Sequence, residues 1–312
     1  MNESPRLLLI ASPRRERTAA FERAVALARA GGMSLHIVAL DYIRLLELLG
    51  LFSQDTIPAL RDSYLQTHRR WLEQEAEFER AQGLDCSVQM IWSDRMYQEI
   101  SDCVRSLQPA MLIKDVHHES MLKRLFSTPL DWHLIRDSQC PLQLVTPNPH
   151  RLPLKILAAV NLYRSEDIDL RLNDQILSAG SFIAAMCHAS LHVIYVYDWA
   201  AIYAAGMPRL GAMPIETGFR EALADAHEES FNLLCDGHGI DSHHRHFISG
   251  TPLNVVDGFA RQNGFDLLVM GTLGRHDRAR SMGDTAEVLL GHAPCSMLIV
   301  KAPESPASIS LV

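Results

Sequence analysis

The chain repeats itself at a fixed spacing of 156 residues, and this repeat limits its fold more than any other feature. Residues 34–38 read SLHIV and recur at 190–194 as SLHVI. At the same spacing, LDCS at 84–87 matches IDSH at 240–243, and MLIK at 111–114 matches LLVM at 267–270. Three matches at one spacing indicate a tandem duplication, so the same domain fold is expected twice.

Within each copy, short apolar runs alternate with longer helical segments. Strands are predicted at 7–10, 35–40, 86–92, 111–114 and 142–145, then at 156–160, 191–197, 244–248, 265–270 and 297–300. Helices are predicted at 19–30, 58–82, 97–107 and 130–136, then at 174–188, 219–235, 252–262 and 285–290. This alternation predicts an α/β fold with two tandem doubly wound parallel sheets of five strands, flavodoxin-like or Rossmann-like. Prolines at 146–153 place the boundary between domains 1–149 and 150–312.

Composition excludes several classes of partner. The formal net charge of −8 disfavours nucleic acid, because that binding depends on neutralising phosphates. No apolar stretch approaches the length of a membrane span, and the apolar run at 7–11 is too short for a signal peptide. The six cysteines show no Cys-x-x-Cys spacing, which is typical of reduced thiols. The sequence therefore predicts a cytoplasmic protein without a nucleic-acid or membrane partner.

A glycine-rich segment follows the fourth predicted strand of the second half. That strand ends at Gly271, Gly274 follows three residues later, and Gly283 precedes a predicted helix at Thr285. Glycine permits positive φ and brings bare N–H groups close to an anion, and a helix N-terminus adds a positive dipole end. The pattern predicts a phosphate site. A tight strand-to-helix turn that needs glycine only for steric reasons is the alternative.

The layout resembles the universal stress protein family, and it is most similar to the tandem members of the E type. The resemblance is carried by TPLDWHL at 128–134 and GTLGR at 271–275, and it covers nearly the whole chain. It implies a flavodoxin-like fold and a role in stress survival, through binding or signalling more than a defined catalysis. Many members bind ATP through Gly-x2-Gly-x9-Gly-Ser/Thr. Family sheets pair through their last strands, which implies an internal pseudo-dimer here and leaves a homodimer open.

Carried onto this sequence, the resemblance implies a site for ATP or ADP, with or without Mg²⁺, in the second half. Asn161 ends the first strand, where the family has an Asp that contacts the nucleoside, and an amide still donates and accepts hydrogen bonds. The predicted binding residues are Asn161, Gly271, Thr272, Gly274, Arg275, Gly283, Asp284 and Thr285.

Two departures from the family motif weigh against this site. Eight residues, not nine, separate Gly274 from Gly283, and Asp284 replaces the Ser or Thr. Asp284 and Glu287 form a capping box, so a carboxylate occupies the helix end that a phosphate needs. Three arginines of the same segment offset this charge, at positions Arg275, Arg278 and Arg280. A capped helix after a tight turn remains the alternative.

The first half lacks the glycines. Asp115, His118 and Ser127 stand at the positions of Gly271, Gly274 and Gly283, so the first half is predicted to bind no nucleotide and to be structural or regulatory. Apolar segments at 43–57 and 199–214 are expected to be loops over the carboxyl edge of each sheet. They would cover the contact between the halves, line an apolar pocket or bind a partner.

Other clusters predict no catalysis. The residues His238, His243, His244 and His246 lie before and within one predicted strand, and a polar strand face explains them better than a metal site. No nucleophile motif or Walker-type lysine follows any strand, so no enzyme activity is expected. Three functions stay open: a nucleotide-sensing stress protein, a nucleotide-free interaction protein, and a binder of apolar small molecules.

Overall fold

The computed structural model describes residues 4–42, 56–116, 130–147, 150–162, 167–210, 217–272, 289 and 293–301. The chain divides into two compact units between Leu152 and Pro153. Each unit contains five parallel strands and the helices that connect them. The predicted fold class, two tandem five-stranded parallel sheets, is confirmed.

The first unit has the strand order β3-β2-β1-β4-β5, with every neighbouring pair parallel. Its elements in chain order are β1 (Arg6–Ala11), α1 (Ala19–Gly31), β2 (Ser34–Asp41), α2 (Thr56–Ala81), β3 (Cys86–Trp92), α3 (Met96–Leu107), β4 (Met111–Asp115), α4 (Leu130–Asp137) and β5 (Leu142–Val145).

The second unit has the order β10-β9-β6-β7-β8, again parallel throughout. Its elements are β6 (Lys155–Val160), α5 (Asp167–Cys187), β7 (Ser190–Tyr197), α6 (Trp199–Leu210), α7 (Thr217–Gly237), a 3₁₀ turn (Ser242–His244), β8 (Arg245–Ser249), α8 (Pro252–Gln262), β9 (Leu267–Thr272) and β10 (Ser296–Lys301).

The helix α1 shows how local sequence sets these bounds. Thr18 caps its N-terminus, because the Thr18 hydroxyl accepts a hydrogen bond from the Phe21 N–H at 3.3 Å. Gly32 ends it in the left-handed conformation with φ +60°, which glycine adopts without steric cost. Between the caps, small and apolar side chains face the sheet and are buried, among them Phe21, Ala24 and Leu27.

The central strands of both sheets are continuous buried apolar runs, as expected where helices cover a parallel sheet. Five of the six cysteines are buried and Cys140 is partly exposed. Burial raises the pKa of the Cys86 and Cys235 thiols to about 11, so both stay protonated and unreactive near neutral pH. Among the described helices, none combines the length and the apolar character that a membrane crossing requires.

One predicted loop and two predicted boundaries of the second unit differ from the structure. The loop expected from residue 199 is the helix α6, which starts after Asp198 because the Asp198 carboxylate accepts a hydrogen bond from the Ala201 N–H at 3.1 Å. The helix α5 begins at Asp167, seven positions before the predicted residue 174, and its added part carries the buried Leu172 and Asn173. His244 belongs to the 3₁₀ turn before β8 and not to the strand. Residues 43–55 and 211–214 of the expected apolar loops lie outside the described residues.

Candidate functional site

The candidate site lies where the strand order of the second sheet reverses. The neighbouring strands β6 and β9 run parallel in the register Ala159 to Met270, so Asn161 and Gly271–Thr272 follow at one carboxyl edge. Open α/β sheets bind ligands outside the carboxyl ends of their strands at such a reversal. Of the predicted binding residues, the structure brings together Asn161, Gly271 and Thr272. The remaining five lie outside the described residues: Gly274, Arg275, Gly283, Asp284 and Thr285.

Asn161 is held in place by a buried amide of helix α5. The Asn161 N–H donates to Asn173 Oδ1 at 3.0 Å, and Asn173 Nδ2 donates to the Asn161 carbonyl at 2.8 Å. Asn173 is buried, whereas Asn161 is exposed at the edge of the sheet. The pair therefore fixes the backbone at the strand end and presents residue 161 to solvent. Sequence reasoning missed Asn173, whose only signal was an amide within an otherwise apolar helical stripe.

Gly271 is required by packing. A Cβ at Gly271 would lie 2.6 Å from Leu172 Cγ and 2.7 Å from each of its two δ carbons, closer than side-chain carbons approach in proteins. Gly271 is not among the described glycines with positive φ, so the close contact with Leu172 and not a left-handed turn accounts for glycine at this position. The Leu172 side chain of helix α5 lies so close to β9 that a larger residue at position 271 would displace it.

Two buried hydroxyl groups lie at the same carboxyl edge of the second sheet. Thr272 ends β9 and Tyr197 ends β7, and each residue is 3% exposed. Neither Thr272 Oγ1 nor the Tyr197 hydroxyl has a hydrogen-bond partner among the described residues. Burial raises the pKa of Tyr197, so the phenol keeps its proton and can donate. Buried polar atoms are nearly always hydrogen-bonded, so these two hydroxyls provide hydrogen-bonding capacity at this edge.

Tyr197 was also missed by sequence reasoning, although a signal existed. Tyr195 and Tyr197 alternate along β7 and therefore share one face of the sheet. The Tyr195 hydroxyl shares a hydrogen bond of 2.8 Å with His227 Nδ1 on α7. Burial of the His227 imidazole lowers its pKa. The Tyr197 ring lies 5.3 Å from the His227 ring. Because His227 pairs with the Tyr195 hydroxyl, its hydrogen bond does not extend to Tyr197. The Tyr197 hydroxyl therefore has no partner among the described residues.

The first sheet fills the equivalent edge with its own side chains. Asp115, which stands where the second half has Gly271, accepts a hydrogen bond from the Ala20 N–H at 3.0 Å, at the start of helix α1. The preceding Lys114 forms a buried ion pair with Asp131 of α4. A fixed carboxylate therefore already occupies this helix N-terminus. His118 and Ser127 lie outside the described residues.

Three histidines form a cluster at the opposite, amino end of β7 and β8. The His192 ring is 4.3 Å from that of His244, and His192 Nδ1 lies 3.0 Å from His246 Nε2. In the first half, the corresponding His36 instead contacts the Ser87 hydroxyl at 2.8 Å. Of the four histidines noted in the sequence, His238 instead pairs with Asp174 at 3.0 Å, and His243 is exposed. Among the described residues, no group of three His, Cys, Asp or Glu side chains is arranged to hold a metal ion.

Acid is expected to destabilise the second half through this cluster. Burial first, then the nearby charges of His244, Lys155 and His246, lower the pKa of His192 from 6.5 to about 4. The unfolded chain therefore binds its proton first, and the free energy of unfolding falls as the pH drops from about 6.5 towards about 4. Urea unfolding followed by circular dichroism across this range should show a weaker pH dependence for His192→Asn.

The matched control for this pH prediction is His243→Asn, which changes an exposed histidine of the same region and should leave the wild-type pH profile unchanged. Parallel loss of stability in the wild type and His192→Asn would show that other groups cause the acid response.

Comparison with protein families places both halves in one family. The model of the universal stress protein family matches residues 6–146 and again 155–301. Universal stress protein E of Escherichia coli (strain K12) is 25% identical over 308 residues, which covers 98% of this chain and 96% of that protein. Universal stress protein E of Photorhabdus laumondii is 26% identical over 299 residues, covering 95% of this chain and 94% of the relative.

Solved structures agree on the fold. A protein of unknown function from Pseudomonas aeruginosa PAO1 superposes with a TM-score of 0.71 at 22% identity, over 96% of this chain and 93% of that one. A universal stress protein from Archaeoglobus fulgidus DSM 4304 gives a TM-score of 0.62 at 16% identity, over 95% of this chain and 98% of that one. At these identities the likeness concerns the fold alone.

Proposed function

The chain belongs to the universal stress protein family as a tandem member, which supports a role in the stress response, and from that premise we propose that its second half binds an adenine nucleotide. The nucleotide acts as a sensed ligand, and no catalytic step is assigned to the chain. ATP or ADP, with or without Mg²⁺, is the ligand class. The proposed function is thus a nucleotide-responsive stress protein.

The observation that carries the proposal is the unpaired, buried hydroxyl of Thr272 at the reversal point of the second sheet. The exposed Asn161 lies at the same edge, with its backbone fixed by Asn173. A hydroxyl and an amide fit the donors and acceptors of a ribose or an adenine. The residues therefore fit a nucleoside.

The phosphates would contact the segment that follows Thr272. Glycine N–H groups of Gly274 and Gly283 and the helix predicted at Thr285 supply donors, and the arginines of this segment supply positive charge. Asp284 opposes them, because two unit charges about 4 Å apart repel by roughly 4 kcal/mol at an effective dielectric of about 20. Binding is therefore expected to be weak.

The proposal assigns no nucleotide to the first half. The Asp115 carboxylate already accepts the Ala20 N–H at the equivalent edge, and a phosphate placed there would meet a like charge. The first half then contributes structure or regulation. This asymmetry predicts that only one of the two carboxyl sheet edges binds a nucleotide.

A nucleotide-free interaction protein is the second candidate function. The observation that favours it is the contact of Gly271 with Leu172, which explains one glycine of the motif by packing alone. In that case the glycine-rich segment is a turn, and the protein acts through its surface.

Calorimetric titration with Mg-ATP separates the two candidates. We expect weak binding by the wild-type chain and about tenfold tighter binding by Asp284→Ser, because screening by solvent reduces the like-charge repulsion to about 1.4 kcal/mol or less. The control Asp85→Ser removes the same charge from an exposed position of the first half and should leave the affinity unchanged.

Two results would contradict the proposal in different ways. Equal binding by Asp284→Ser and the wild type would show that the carboxylate does not oppose phosphate. Absence of binding in both would assign the glycine segment to packing and leave the interaction protein as the function.

A further inference from the structure

The first half has a basic cleft between the loop after β1 and the outer face of helix α2. Its volume is about 370 Å³, which lies in the size range of small-molecule sites. The lining residues are Arg14, Arg15, Thr67, Arg70, Trp71 and Gln74. Three of these six carry a positive charge and none carries a negative one. The cleft is separate from the edge of β6 and β9 where the nucleotide is proposed, because it lies wholly in the other half of the chain.

The three arginines have no carboxylate partner within the described part of the chain. The neighbouring Arg17 shows the contrast, since it contacts Glu22 at 2.5 Å and both Glu75 and Glu79 at 2.8 Å. The acidic side chains that α2 directs towards α1 are therefore already paired. The arginines of the cleft keep their charge available for an anion.

The loop that holds two of these arginines is fixed to helix α2. His68 is buried, and its Nε2 shares a hydrogen bond of 2.8 Å with the Pro13 carbonyl. The Arg14 N–H donates to the Ser12 hydroxyl at 3.2 Å. Arg15 has a φ of 52°, a left-handed conformation that is uncommon for a residue with a long side chain. Uncommon conformations of this kind persist where the surrounding structure holds them, and they cluster at ligand sites.

One acidic group on this side of the first half is already engaged. Asp41, at the carboxyl end of β2, accepts hydrogen bonds from the Tyr64 hydroxyl and from the Tyr42 N–H, the latter at 2.8 Å. The charge of Arg15 is one of those that act on the pKa of the Tyr64 phenol, so Arg15 lies on the side of the cleft that holds Tyr64 and Asp41. Two hydrogen bonds to Asp41 reduce its capacity to pair with Arg15.

We propose that this cleft binds a small anion with two or more phosphate groups, held by the guanidinium groups of Arg14, Arg15 and Arg70. Guanidinium presents N–H donors in a planar fork that matches phosphate oxygens two at a time, and several forks around one cleft suit a ligand with several phosphates. The Trp71 ring, supported by Phe21 at 6.3 Å between centroids, forms an apolar wall beside them. Free polyphosphate and the phosphate chain of a nucleotide share this chemistry.

Inorganic tripolyphosphate is the first probe, titrated calorimetrically into the full chain at low salt. One ion per chain is expected to bind at this cleft. Arg15→Asn and Arg70→Gln should each weaken it about tenfold, because charge-assisted hydrogen bonds are the strong ones and each variant removes a guanidinium. Asparagine tolerates the left-handed backbone of residue 15, so a loss in Arg15→Asn is not a folding defect.

The matched control is Arg69→Gln, which removes the same charge from the adjacent, exposed position of α2 that does not line the cleft. Its affinity should equal that of the wild type. If Arg69→Gln and Arg70→Gln weaken tripolyphosphate binding equally, the proposal is overturned, because the net charge of the protein would then explain the effect. Failure of tripolyphosphate to bind the wild-type chain would overturn it as well.

The second probe, ATP, identifies the source of the phosphates. The Asp284→Ser variant leaves the cleft unchanged, so the two sites respond to different substitutions. ATP binding that is weakened by Arg70→Gln and unaffected by Asp284→Ser would support the cleft as a second, nucleotide-phosphate site. In the other case, the affinity for ATP changes only in Asp284→Ser, and the affinity for tripolyphosphate falls in Arg70→Gln. This result would support the cleft as a site for free polyphosphate.

Discussion

Replacing Lys114 by methionine is expected to destabilise the first half by about 3–5 kcal/mol, because it removes the cationic partner of the buried Asp131 carboxylate. Lys114 is 1% exposed and forms its ion pair with Asp131 on α4, which is itself buried. Methionine fits the position sterically, since the second half carries Met270 at the corresponding place in β9. The loss would therefore come from the charge left behind and not from a cavity.

The double variant Lys114→Met with Asp131→Leu tests this explanation. Exchanging both members of a buried pair for apolar residues is often close to neutral, so the double variant should recover most of the stability. Urea unfolding followed by tryptophan fluorescence reports on this half, since Trp71, Trp92 and Trp132 belong to it and only Trp199 to the other. A double variant as unstable as the single one would show that Lys114 acts through packing.

The repeat and the alternation of apolar runs were sufficient to predict the fold. Each predicted strand lies within about two residues of a strand in the structure, and the parallel order follows from helices that separate consecutive strands. Buried parallel strands such as β1 and β9 have sequences that are apolar on both faces, so their signal is local.

One error arose from conflicting local signals, and another arose where contacts that are distant in sequence decide the structure. The alanine-rich segment after β7 contains a glycine and a proline, which favoured a loop, yet the cap by Asp198 and the high helix propensity of alanine make it the helix α6. His192 was overlooked because its neighbours His244 and His246 come from another strand and its preceding turn. Sequence spacing cannot show which strands become neighbours at one edge.

The candidate site was predictable in its location and only partly in its chemistry. The order of elements and the family resemblance indicated Asn161, Gly271 and Thr272, and the structure places all three at the carboxyl edge of the second sheet. The unpaired hydroxyls of Thr272 and Tyr197 depend on what surrounds each side chain, and no local pattern encodes that. The sequence could therefore indicate where a ligand would bind, but not which atoms lack a partner.

Replacing Gly271 by alanine is expected to destabilise the second half by about 2 kcal/mol, within the range measured for overfilled cores. The added Cβ would lie 2.6 Å from Leu172 Cγ, and Leu172 is buried, so its side chain must leave its present position in a packed environment. The control Gly258→Ala adds the same methyl group in helix α8, where nothing lies within 4 Å. It should stabilise the protein by up to about 1 kcal/mol, because alanine favours helix over glycine.

The double variant Gly271→Ala with Leu172→Ala separates packing from ligand binding. Leu172→Ala alone should cost about 2–5 kcal/mol through the cavity it creates. Because the new methyl group partly fills that cavity, the double variant should be more stable than the sum of the two single losses, by about 1 kcal/mol or more. Urea unfolding followed by circular dichroism measures all four states of the cycle. Additive losses would contradict the contact with Leu172 as the reason for glycine at position 271.

The same double variant tests whether Gly271 contributes to ligand binding. If Gly271 serves packing alone, the double variant should bind Mg-ATP as the wild type does. Loss of binding in a folded double variant would show that Gly271 belongs to the phosphate site.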